Sequence, residues 1–170
     1  MYGGYLNVFV EAFGEEGERW DLFRVVEGEF PELEDLPKYD GFVVSGSPYD
    51  AYGNQPWILK LCFLLQILDS MAKKVLECHQ DEVLEVPIGA NVIGYSEKTG
   101  VEMFMLESHI LGIQGHPEYT IDILNNLIDR LLIDQFIQED LAENAKNMLE
   151  RTEPDRKCLV KICRKFLKGR

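Results

Sequence analysis

Apolar positions along this chain recur in two rhythms, and the switches between them outline an α/β protein. Tyr5, Val8, Phe9, Ala12 and Phe13 fall at helical spacing, and Gly14 ends the run as a C-terminal cap would. The β-branched Val8 and Val10 leave a strand open at the same place. After an acidic turn, Leu22-Phe23-Arg24-Val25-Val26 reads as a short strand, and Pro31 and Pro37 then interrupt any continuing ladder. Tyr39 to Pro48 reads as a turn, a buried strand and a loop of small residues. Its Phe42-Val43-Val44 is apolar on both faces, which suits a central parallel strand. Pro56 sits well in the first turn of a helix whose face is Trp57, Leu61, Leu64, Leu65 and Leu68. Cys62 is expected in the core side of that helix, and Lys73-Lys74 is expected to close it at the negative end of its dipole.

The next stretch, Val75 to Val83, is short and polar where a strand leaving such a helix should be long and apolar. From Val92 the pattern turns antiparallel: Val92 to Tyr95, a turn through Lys98-Thr99-Gly100, Val101 to Met105, then Ile110 to Gln114. Thr120 is placed to cap a helix carrying Ile121, Leu124, Leu127, Ile128, Leu131 and Leu132. Two further helical stretches follow, about Leu141 to Leu149 and Asp155 to Leu167, with Cys158 and Cys163 read as packing residues. There is no internal repeat and no low-complexity linker. The expected organisation is an α/β domain over 1–136, with a C-terminal helical extension over 137–170 packed on it.

Composition adds limits. The 170 residues are enough for one hydrophobic core. A formal net charge of −13, from 30 acidic against 17 basic residues, repels phosphate backbones and anionic lipid, so neither nucleic acid nor membrane is an expected partner. The four cysteines form no CxxC pair and no zinc-type cluster with histidine, so no metal and no cofactor is expected. The first residues do not read as a signal peptide, and the apolar run Trp57 to Leu68 is too short to span a bilayer. Free thiols in a reducing cytosol are the expected setting.

The candidate chemistry gathers in Ile113-Gln114-Gly115-His116-Pro117-Glu118-Tyr119. His116 follows a strand, Pro117 fixes its own φ, and Glu118 stands two residues on, where a carboxylate could hold one imidazole nitrogen and leave the other free as a base. The same spacing also fits a plain strand-to-helix turn with a surface His and a Glu that favours the next helix's dipole. Gly46, after Phe42-Val43-Val44-Ser45, lets backbone come close to something beyond the strand's carboxyl end, where α/β sheets hold their ligands; it also fits a plain loop glycine.

Taken together, Ser45-Gly46-Ser47-Pro48, Cys78-His79-Gln80-Asp81-Glu82-Val83 and Gln114-Gly115-His116-Pro117-Glu118-Tyr119 resemble the class I glutamine amidotransferase superfamily, and most closely its plant γ-glutamyl peptidases. Tyr2-Gly3-Gly4-Tyr5, Asn7 to Val10, Trp20-Asp21, Phe23 to Val26 and the closing Phe166 to Arg170 fit that group too. The resemblance implies a three-layer, flavodoxin-like sheet with helices on both faces, depleted by missing strands, plus C-terminal helices. It implies His116 as catalytic base and Glu118 as the carboxylate that orients it. Gly46 would be an oxyanion donor with Ser47 beside it, and His79 and Asp81 would belong to a segment near the site. The implied activity is hydrolysis of the γ-glutamyl bond of glutathione or its conjugates, through a thiolate nucleophile and an acyl-enzyme.

The chain also departs from that family. Its members present the nucleophile on a Gly-x-Cys-x-Gly turn, whereas this chain passes from Val75-Leu76 straight to Glu77-Cys78-His79-Gln80. Some dozens of residues, including the nucleophile, are expected to be missing there, and the family's first strand is expected upstream of Met1. An alternative transcript or a faulty gene model would account for both. Cys78 lacks the flanking glycines of a strained elbow and is not the expected nucleophile. The chain is therefore expected to be inactive. The alternative role is a non-catalytic one, binding a γ-glutamyl ligand such as a glutathione conjugate or associating with a full-length homologue.

Overall fold

The structure, a computed structural model, describes residues 4–78, 82–152 and 155–169. They divide into two compact units, one formed by 1–18 with 117–162 and the other by 19–116 with 163–170.

The larger unit is built on a mixed five-stranded sheet. Its strands are β1 (Gly41–Ser45), β2 (Lys74–Cys78), β3 (Ala90–Ser96), β4 (Gly100–Leu106) and β5 (Ile110–Ile113), in the order β1-β2-β5-β4-β3. β1, β2 and β5 run parallel, while β3, β4 and β5 pair antiparallel. The helix α2 (Pro56–Ser70) makes the β1-to-β2 crossover. Its Leu64 and Leu68 pack with Leu36 and Val75, and Phe42, Val44 and Ile110 close around them. Phe42 and Val44 are two residues apart, on one face of β1, so that face is the one covered by the α2 core. Gly112 in β5 is required by close approach, because a Cβ there would lie 2.1 Å from the Phe104 ring of β4.

In the other unit, α1 spans Tyr5–Phe13, α3 Ile121–Ile133 and α4 Glu139–Arg151. Gly14 ends α1 as expected, its N–H bonding to Val10. Thr120 caps α3, its side chain accepting from the Ile123 N–H at 3.3 Å. The last helix, α5 (Arg156–Lys168), contributes residues to both units. No described helix is long and apolar enough to cross a membrane.

Four expectations are corrected. Leu22 to Val26 is not a strand. The Arg24 carbonyl accepts from the Glu27 and Glu29 N–H groups, the Arg24 N–H goes to the Glu29 carboxylate, and Val25–Glu27 closes a 3₁₀ turn onto left-handed Gly28. The groups a ladder would use are already bonded locally. Second, β1 is parallel but lies at an edge of the described sheet, with β2 as its neighbour. Third, α2 stops at Ser70. Lys73 instead donates to the Tyr39 and Pro37 carbonyls, and Lys74 opens β2, where Val75, Leu76 and Cys78 are fully buried despite the polar sequence. Fourth, Cys62 and Cys158 are exposed, although Cys163 is buried as expected. α2 is apolar nearly all round, so composition could not say which stripe faces the core. Ellman's reagent should accordingly modify Cys62 and Cys158 in the native chain, and Cys78 and Cys163 only after unfolding. Prompt native reaction of Cys78 would contradict its burial.

Candidate active site

Sheet register brings the first candidates together. Ser45, Cys78 and Ile113 are aligned across β1, β2 and β5, each the last residue of its strand. The parallel strands therefore discharge at one edge, and Gly46, Ser47 and His116 all follow it within three residues. That is the end of an open α/β sheet where ligand sites form.

Local bonds hold both loops. The Ser47 hydroxyl accepts from the Tyr49 N–H at 3.2 Å, and the Tyr49 ring meets the Trp57 ring at the start of α2 at 5.8 Å. After β5, the Gln114 N–H donates to the Glu102 carbonyl at 2.8 Å, which carries the pairing with β4 one residue past the strand. Glu102 is anchored in its turn: Ser96 and Thr99 donate to its carboxylate and hold its pKa below the ordinary value. Gly115 is exposed and His116 half-buried.

Glu118 lies in the turn that begins at Pro117, within the other compact unit, and is only 1% exposed. A surface Glu serving the α3 dipole would be wet, so its burial is a departure from the plain-turn reading. The Arg156 guanidinium donates to the Glu118 carbonyl at 3.3 Å. The hydroxyls of Tyr119 and Tyr5 are 2.9 Å apart, joining this turn to α1. Nothing in the sequence signals that pair, since 114 positions separate its members. His79 and Asp81 lie outside the described residues.

Burial, the bond to Tyr5 and the neighbouring Glu118 carboxylate push the Tyr119 phenol well above the usual tyrosine value of 10.0. The folded chain holds this proton more tightly than the unfolded chain does. The resulting stabilisation is complete below about pH 10 and is lost as the pH rises further. In an absorbance titration the Tyr119 phenol should ionise last, and Tyr5→Phe should shorten that lag. Uniform ionisation of all the tyrosines would contradict the bonded pair.

At this edge a histidine, a glycine loop and a buried cysteine end or follow three adjacent strands. Comparison with known proteins gives the chain its family. No family model matches the chain. γ-Glutamyl peptidase 5 from Arabidopsis thaliana is 44% identical over 224 residues, an alignment covering 99% of this chain and 89% of that protein. The chain belongs to the γ-glutamyl peptidase family. γ-Glutamyl peptidase 2 from the same plant is 42% identical over 223 residues, covering 100% of this chain and 90% of the relative. A glutamine amidotransferase from Thermotoga maritima shares the fold, with a TM-score of 0.61 at 16% identity over 95% of this chain and 87% of that one. This γ-glutamyl peptidase relative thus has the glutamine amidotransferase-like, flavodoxin-like α/β fold expected from its sequence. Both plant alignments are much longer than the chain's own 170 residues.

Proposed function

We propose that this chain is a γ-glutamyl peptidase relative that keeps the base and oxyanion side of the site but has lost its nucleophile. His116 is the base, Glu118 the carboxylate that fixes its tautomer, and Gly46 with Ser47 the oxyanion and substrate loop. The two-residue spacing around Pro117 and the burial of Glu118 support the dyad. A carboxylate out of water aligns an imidazole better than an exposed one, because fewer water molecules compete for its lone pairs.

The observation that carries the loss is Cys78. It ends β2 in register with Ser45 and Ile113, yet it has no exposed surface and no glycine on either side. A thiolate nucleophile must meet a carbonyl, and a cysteine packed into strand β2 cannot do so without unpacking the sheet. The alignments of 224 and 223 residues against a chain of 170 fit an internal loss, and the missing Gly-x-Cys-x-Gly turn around Cys78 is the reason to put it here. With the base and oxyanion loop retained, a γ-glutamyl ligand such as glutathione or a conjugate could bind without being cleaved. Glutamate released from glutathione tests the reading: none above background is expected, and turnover abolished by Cys78→Ala would overturn it.

A further inference from the structure

The strongest unassigned feature is a charge pattern on α5. Lys157, Lys161 and Lys165 stand at i, i+4 and i+8, one row with about 6 Å between neighbours along the axis. All three are exposed, with exposed Cys158 and Ile162 beside them. Among the described residues none of the three ammonium groups makes an ion pair or hydrogen bond.

A complementary surface exists on the same molecule. Glu27, Glu32 and Glu34 are exposed, and their carboxylates also have no partner among the described residues. Val26, just before Glu27, and Leu33, between Glu32 and Glu34, are exposed and give this stretch an apolar component to meet Ile162.

We propose that the lysine row of α5 docks on the acidic stretch 26–34 of a second copy of this chain. The contact is heterologous, so each copy offers one surface and uses the other, and copies add head to tail. Opposite charges meet at short range, while the net −13 of each copy acts over longer distances, where salt screens it within about 8 Å at physiological ionic strength. The association is therefore weak, and high salt dissolves it. An anionic membrane fits the row less well, because the row offers little apolar side chain to insert.

Charge reversal provides the test, read by sedimentation velocity on the full chain. The wild type should sediment above monomer mass at about 50 mM salt and as monomer at about 500 mM. K157E/K161E/K165E and E27K/E32K/E34K should each be monomeric alone, because each then presents two like-charged surfaces. Their equimolar mixture should associate again, since it restores one native interface, and this rescue shows that neither variant has merely lost its fold. A mixture no larger than its components would overturn the proposal. So would assembly that persists at high salt, or a wild type that stays monomeric while co-sedimenting with phosphatidylserine vesicles.

Discussion

Purified chain incubated with glutathione or a glutathione conjugate should release glutamate no faster than buffer, and Cys78→Ala should leave that rate unchanged. Losing the nucleophile of a catalytic triad costs about 10⁶-fold in turnover in a comparable serine enzyme. A base and oxyanion donors that survive such a loss can still give roughly 10³–10⁴-fold over water, by acting on a water molecule. That residue of catalysis needs an intact pocket, and the loss proposed here includes pocket wall. A small water-driven rate would fall with His116→Ala and be indifferent to Cys78→Ala. An acyl-enzyme pathway would show the reverse sensitivity to the cysteine. The paired substitutions therefore separate a poor hydrolase that uses water from a cysteine peptidase with an unrecognised nucleophile.

The other large effect concerns the sheet itself. Leu76→Ala should destabilise the chain by about 2–5 kcal/mol in a denaturant titration. Leu76 has no exposed surface, and its strand lies between β1 and β5, with Val43 and Leu111 as its register partners. The side chain cannot be removed without leaving a cavity walled on both sides. Single domains are stable by only about 5–15 kcal/mol, so the variant would lose a large share of its total. Leu84→Ala is the control: Leu84 is 83% exposed and should change stability by less than about 0.5 kcal/mol. Equal small effects at the two positions would mean that β2 is not packed as described.

Much of this architecture was legible because it is locally encoded. Thr120 caps α3 through its own side chain, the hairpin of β3 and β4 turns where Lys98-Thr99-Gly100 predicts, and Gly14 closes α1. What was missed depends on contacts that sequence spacing cannot supply. Phe23, Val25 and Val26 have strand chemistry, but the Glu29 carboxylate and the turn at Gly28 take the backbone groups that pairing would need. Cys62 reads as core because α2 is apolar on nearly every side, and only the packed face, with Ile58, Leu64 and Leu68, reveals that it points to solvent. The segment around Cys78 looked too polar for a strand, yet Lys74 and Glu77 flank a fully buried Val75, Leu76 and Cys78 between two parallel neighbours. For the candidate site, the ends of β1 and β5 were readable from Gly46 and His116. The burial of Glu118 was not, since it depends on how its turn packs.

Trapping decides whether any cysteine of this chain can take up a γ-glutamyl group. The chain would be incubated with a γ-glutamyl substrate, quenched in acid and mapped by peptide mass spectrometry for a γ-glutamyl thioester. Cys78 should remain unmodified, with no adduct on Cys62, Cys158 or Cys163. A γ-glutamyl thioester on Cys78 that is lost in His116→Ala would contradict the proposed loss and make Cys78 the nucleophile.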